Sequence, residues 1–252
     1  MTKKWLWIFV SLGIFVVLIS VSIHWFYYSN PATFPTNEQL VEEINSVFPE
    51  AAASVIQDTI PVDGHHVLVP FISNNDDYSL SYWVWQKHKW RVTSIDTKGR
   101  PMVWKIDRND PSSYQFVWNI HPDDQLSSIH FYLIRDRGYR ITEGVEHYVP
   151  RVQMMKKVSL KEKSYGLMRL PDEWVTFMNS FLKVESAKQP DLFFNNFFPE
   201  QYMFFGWIPY NQADKETFPE RSVNGNGYSN GKIELEHVMI LDKGDLETPK
   251  SQ

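Results

Sequence analysis

Tyr78-Ser79-Leu80-Ser81-Tyr82-Trp83-Val84-Trp85 first alternates large and small side chains, then carries large apolar side chains at four consecutive positions, three of them rings. Alternation at a period of two marks a strand, because successive side chains leave opposite faces of a pleated chain. Large rings on both faces imply a strand covered on both sides, or one whose outer face binds a ligand. The same period recurs on either side. Val67 to Ile72 reads as a buried strand. After it come Trp90, Val92 and Ser94, then Met102, Trp104 and Ile106, then Tyr114, Phe116, Trp118 and Ile120, then Ile129, Phe131 and Leu133. The separators are turn material: Asn74 to Asp77, Lys98 to Pro101, Asp107 to Pro111, His121 to Asp124 and Arg135 to Gly138. Short strands at such spacing predict an antiparallel meander. Val103-Trp104-Lys105-Ile106 is echoed by Val117-Trp118-Asn119-Ile120, which predicts two neighbouring strands.

Helical spacing frames this β region. Thr36 followed by Gln39 is a capping-box pattern, and Leu40, Val41, Ile44, Val47 and Phe48 then share one face up to Pro49. A second short helical piece is expected within Glu50 to Asp58. Pro171-Asp172-Glu173 opens a helix from about Asp172 to Lys183, with Trp174, Phe177, Met178, Phe181 and Leu182 on one stripe. Leu192 to Tyr210 is aromatic-dense, Val223 to Gly231 reads as a Gly- and Asn-rich loop, and Lys232 to Leu241 reads as a last strand. The fold class is therefore α+β: a mainly antiparallel β domain with a few flanking helices, preceded by an N-terminal transmembrane helix.

The transmembrane reading rests on residues 5–28. No Asp, Glu, Lys or Arg occurs from Trp5 to Asn37, and the apolar run to Tyr28 exceeds the ~20 residues that span a bilayer core. Trp5 and Trp7 at one end, and Trp25, Phe26, Tyr27 and Tyr28 at the other, suit the two interfaces. Lys3 and Lys4 precede the run, and no further Lys or Arg appears before Lys87, so the N-terminus is expected to face the cytoplasm. A cleaved signal peptide ending near Ser20-Val21-Ser22 is the competing reading, but the run continues past that site into the aromatic belt. The organisation that follows is a cytoplasmic stub at 1–4, a signal-anchor helix at 5–28, a linker at 29–37, an extracytoplasmic domain at 38–245 and a tail at 246–252. The absence of cysteine excludes disulfides, thiol nucleophiles and Cys-based metal sites. Together with the lack of any N-x-[ST] acceptor, it fits a bacterial envelope protein.

Two groups of candidate site residues stand out. Trp83, Trp85, Trp104 and Trp118 read first as core packing, since Trp is mostly buried, and alternatively as a platform whose flat rings stack on a sugar or contact a lipid headgroup region. Residues 135–169 hold nine basic side chains against four acidic ones; strand alternation makes them first a solvated face, and Arg151, Lys156, Lys157, Lys161 and Lys163 could alternatively face an anionic surface. The carboxylates of Asp76, Asp77, Asp107, Asp110, Asp123 and Asp124 lie in turns, where they ordinarily bond nearby backbone. No G-x-S-x-G, P-loop, G-x-G-x-x-G or H-E-x-x-H motif occurs, so no catalytic residue, metal or cofactor is assigned. The expected partners are the lipid bilayer, through residues 5–28, and an envelope protein or cell-wall polymer, with no nucleic acid. The expected function is a membrane-tethered extracytoplasmic domain that binds, senses or scaffolds. The alternative is an envelope glycan-binding or glycan-hydrolysing protein that uses a Trp-lined surface.

Overall fold

The computed structural model describes residues 7, 12–20, 30–142, 144–188 and 203–247. The fold is α+β with mostly antiparallel sheets. The first sheet takes β1 (Ala53–Ile56), β2 (Ile60–Pro61), β3 (His66–Ser73), β4 (Tyr78–Gln86) and β5 (Lys89–Asp96). It is completed by β14 (Gly227–Ser229), giving the order β1-β3-β4-β5-β14 with β2 also on β3. The second sheet builds on β6 (Gly99–Lys105) and β7 (Tyr114–Asn119), flanked by β12 (Tyr165–Arg169) and β15 (Glu234–His237), in the order β12-β7-β6-β15. The third orders β11 (Val152–Ser159), β8 (Leu126–Arg135), β13 (Met203–Asn211) and β16 (Met239–Ile240). A separate two-stranded sheet pairs β9 (Gly138–Thr142) with β10 (Val145–Val149).

The three large sheets stack face to face, as the parity of the core residues shows. Leu68, Leu80, Tyr82 and Val84 of the first sheet meet Met102, Trp104 and Val117 of the second. The opposite parity of the second sheet, Val103, Phe116 and Trp118, meets Ile129, Phe131, Leu133, Phe205 and Trp207 of the third. Strands covered on both faces must be apolar on both faces, which is why β4 and β7 read as nearly continuous large side chains. Fully burying one such side chain contributes about 1.5–3 kcal/mol, so these two seams dominate the stability. A bulge in β5 pairs Tyr82 with Ser94 but Trp83 with Val92, which lets Val92 and Ile95 face the same side.

Helices close the stack. Helix α2 (Asn37–Val47) begins where Gln39 Oε1 accepts from the Thr36 N–H at 3.0 Å, and it buries Leu40 and Ile44 on the outer face of the first sheet. Asn45 pins it there, donating to Ala53 O at 2.9 Å and accepting from Ala53 N at 2.7 Å. The expected helical piece after Pro49 is corrected: a single 3-10 turn at Pro49–Ala51 leads into β1, whose Ala53, Val55 and Ile56 pair along β3. Helix α3 (Asp172–Lys188) sets Trp174 and Met178 into the seam between the second and third sheets. The expected last strand is two short ones, since β15 joins the second sheet and β16 the third.

Residues 12–20 form a helix, α1, whose apolar side chains from Leu12 to Ile19 are 42–60% exposed. Among the described residues no helix is long and apolar enough to cross a membrane. The rest of the expected span 5–28, apart from Trp7, lies outside the described residues, as do Phe193, Phe194, Phe197, Phe198 and Tyr202 of the aromatic segment. The described part of that segment is β13, which places Phe205 and Trp207 in the core.

Candidate functional site

The stack has two ends, and the site lies at one of them. There the turn from Ser73 to Asp77 meets the turn from His121 to Asp124. Ser73 organises the first: its hydroxyl accepts from Asn75 N and Asp77 N at 3.1 Å each. His121 is 2% exposed and uses both ring nitrogens. Nδ1 accepts from the Asp123 N–H at 3.0 Å, so Nε2 carries the proton and donates to Asp76 O at 2.8 Å. Asp124 accepts from Arg221 N at 2.8 Å and from the Ser222 hydroxyl at 2.5 Å, while Ser222 Oγ accepts from His121 N at 2.8 Å. These bonds latch the first sheet to the loop that begins the third.

Ligating atoms of Asp76, His121 and Asp123 lie within 4.8 Å of one another. They do not fit a metal centre. The Arg221 guanidinium already sits 3.9 Å from Asp76, 4.0 Å from Asp77 and 3.7 Å from Asp123, and both imidazole nitrogens are engaged in hydrogen bonds. A cation would have to displace one and break the other. Nearby, burial pushes the Asp96 carboxyl up to about 6, against the opposing pull of the Lys98 N–H and of Arg100.

Beside this latch the third sheet ends in a polar cleft. Two contiguous cavities of about 570 and 740 Å³ share Leu126, Leu160 and Gln212. The larger is lined by Ser127, Ser128 and Ser159, by Lys157 and Lys161, and by Asp214. Register explains the convergence: Ser128 pairs with Ser159 on one side and Tyr210 on the other, and His130 pairs with Lys157, so all five side chains share the outer face of the sheet. Ser127 instead donates to Tyr210 O at 3.2 Å and Asn211 O at 2.6 Å, which holds the 211–214 turn over the cleft. The Ser128 hydroxyl is buried within this lining and, among the described residues, has no hydrogen-bond partner. The buried Nε2 of His130 has none either. The His130 ring lies 4.2 Å from Tyr210, and burial, then the Lys157 charge, hold its pKa below the usual histidine range, against the pull of Asp214. An unpartnered buried polar atom is costly, so each is a place where a ligand or water would bind with gain.

The sequence-predicted residues are distributed over several parts of the fold. Trp83 and Trp104 are 0% exposed, Trp118 5% and Trp85 8%. They also part company: Trp83 lies under α2, Trp104 in the first seam and Trp118 in the second. The alternative of a Trp-lined surface is therefore corrected to the core packing weighed beside it, because the stacked sheets and α2 leave β4, β6 and β7 no free face. The basic residues do not form one patch. Arg151 bonds Asp245 O at 2.6 Å and lies 3.5 Å from Asp136, and Lys163 bonds Asp58 at 2.9 Å, which holds that carboxyl below its ordinary value. Lys156 and Lys157 leave opposite faces of β11. Lys157 and Lys161 alone come together, at the cleft. The serines, His130 and Asp214 gave no sequence signal beyond turn chemistry at Asn211 to Asp214, because only cross-strand register assembles them. No family model, curated protein or solved structure matches the chain.

Proposed function

We propose that this is a single-pass membrane protein of a bacterial envelope. Residues 1–4 lie in the cytoplasm, residues 5–28 cross the bilayer, and the sheet stack stands outside, where it binds a polar, anionic ligand in the cleft. It acts by binding, sensing or scaffolding rather than by catalysis. The observation that carries the membrane reading is the charge-free stretch from Trp5 to Asn37, within which α1 is a helix with its apolar side chains exposed. The observation behind the ligand class is the cleft itself, where Lys157 and Lys161 outnumber Asp214 and Ser128 offers an unused hydroxyl. A wall polymer bearing phosphate fits that chemistry.

Two measurements test the proposal. Protease added outside intact cells should digest the domain while the protein stays in the membrane pellet after alkaline washing; a protected domain, or a washed-off protein, refutes the topology. Full-length protein in detergent micelles, titrated with a glycerol-phosphate oligomer, should bind it, and Lys157→Ala/Lys161→Ala should weaken binding roughly tenfold or more, as expected for two charge-assisted contacts. Equal affinity for a neutral glucan oligomer would remove the anionic assignment. A hydrolytic activity abolished by changing one acidic residue would remove the non-catalytic one.

A further inference from the structure

The pair β8–β11 leads, through Asp136-Arg137 on one strand and Pro150-Arg151 on the other, into the separate β9–β10 sheet, so the four strands follow one another as a two-part ribbon. Its inner half pairs Ser128 with Ser159 through to Arg135 with Val152, and its outer half pairs Gly138 with Val149 through to Thr142 with Val145. In the outer half Tyr139 and Ile141 are each 61% exposed, Val145 57% and Tyr148 65%. Tyr139 and Tyr148 are cross-strand partners and share a face with Ile141. Val55, Met155 and Phe218 are isolated exposed apolar residues of the sheet stack, and Met239 and Ile240 make a smaller pair on β16; Tyr139, Ile141, Val145 and Tyr148 sit in one hairpin. A two-stranded hairpin is at best marginally stable in water by itself.

We infer that residues 138–149 are a second membrane contact, lying on the surface of the bilayer that residues 5–28 cross; the inference rests on that transmembrane reading. The argument is one of reach. The Trp90 indole donates to Ala32 O at 2.9 Å, and Phe34 sets its ring edge-on against Trp83 and Trp90, so the chain is fixed to the domain at that point. From Tyr28, the last residue of the apolar run, to Ala32 the chain can extend at most ~14 Å. The end of the first sheet that carries Trp90 is therefore held close to the interface.

The ribbon leaves from the same end. Asn119, the last residue of β7, donates to Ser79 O at 2.8 Å at the latch end, and β8 starts beside that latch and runs away from it. At the far end the His66 and Trp104 rings meet at 5.6 Å and Lys232 bonds Gln86 at 3.0 Å, next to the turn that precedes Trp90. Arg135 ends β8 on that side, and the five paired residues of β9 and β10, ~16 Å long, follow it. Tyrosine suits the destination, since its ring is apolar and its hydroxyl stays wet at the headgroup level.

The chain has no cysteine, so single-cysteine variants can be labelled cleanly. Full-length Phe15→Cys, Tyr148→Cys and Gln212→Cys would carry an environment-sensitive fluorophore in phosphatidylcholine/phosphatidylglycerol vesicles. Near-ultraviolet circular dichroism of the buried Trp residues would report folding of each. Lipids brominated near the headgroup should quench the Tyr148 label, lipids brominated along the chain should quench the Phe15 label, and neither should quench the Gln212 label at the latch end. If the Phe15 label is quenched while the Tyr148 label stays open to aqueous iodide, the hairpin contact is refuted and the anchor stands. If neither is quenched, the anchor reading itself fails. A Tyr148 label shielded from iodide but untouched by brominated lipid would mean that protein covers the hairpin, which also overturns the inference.

Discussion

The two halves of the ribbon have comparable composition and opposite fates. In β8, Ile129, Phe131, Leu133 and Ile134 are 0% exposed, packed against the second sheet on one face and against Leu241 and its neighbours on the other. In β9 and β10, Tyr139, Ile141 and Tyr148 are more than half exposed. Each half is antiparallel, and a short link at Asp136-Arg137 joins them. The difference lies wholly in what stands opposite. A strand gains from its apolar face only when another layer covers it, and the stack of sheets ends where the ribbon does not.

The largest expected effect breaks the covered half. Phe131→Ala should lose about 3–5 kcal/mol of unfolding free energy, from lost burial plus the cavity left behind. Chemical denaturation of the full chain in micelles would measure it; a loss below ~1 kcal/mol would mean the seam is not the core described here. A second, smaller effect tests the cover itself. A Cβ on Gly206 of β13 would lie 2.3 Å from Leu241 Cδ1, so Gly206→Ala should cost about 1–3 kcal/mol by forcing that side chain away. Leu241→Ala in the same background should restore part of the loss.

The third prediction uses pH. His130 stands in the covered half, with its pKa lowered by burial and then by Lys157. The unfolded chain, with an ordinary histidine near 6.5, therefore binds more protons as pH falls through that range. The stability contributed by His130 is present above pH ~6.5 and is lost as pH falls through the lower folded-state pKa. His130→Gln should flatten that part of the stability–pH curve, and an unchanged curve would show that the ring is not held as described. The smallest effect sharpens the comparison from the exposed side. Tyr148→Ser should change stability in micelles by less than ~0.5 kcal/mol, since its side chain packs on no layer. Amide exchange should be fast over 138–149 and slow over 129–134; equal protection would erase the contrast between the halves.

Much of the stack was legible along the chain. The two-residue period located β3 through β8, the echo at Val103 and Val117 marked β6 and β7 as neighbours, and Thr36 with Gln39 announced α2. The strands from Gly138 to Arg169 were not legible, because their lysines and arginines alternate with few buried partners and so read as a charged stretch. The candidate site was almost silent. Lys157 and Lys161 could be named, but Ser128, Ser159 and His130 are unremarkable singly, and Arg221 and Ser222 reach Asp76 and Asp124 from about a hundred residues or more away.

The sequence by itself determined the features that local chemistry dictates: the charge-free N-terminal run, the helix starts, the turns and the alternation of the strands. Tertiary structure alone decided which faces meet. Trp83, Trp104 and Trp118 became core because a sheet or helix lies on each of them, whereas Tyr139 and Tyr148, no more polar than other tyrosines, stayed exposed because nothing does. Alternation specifies that a strand has two faces; only the layers stacked on them determine whether either is buried.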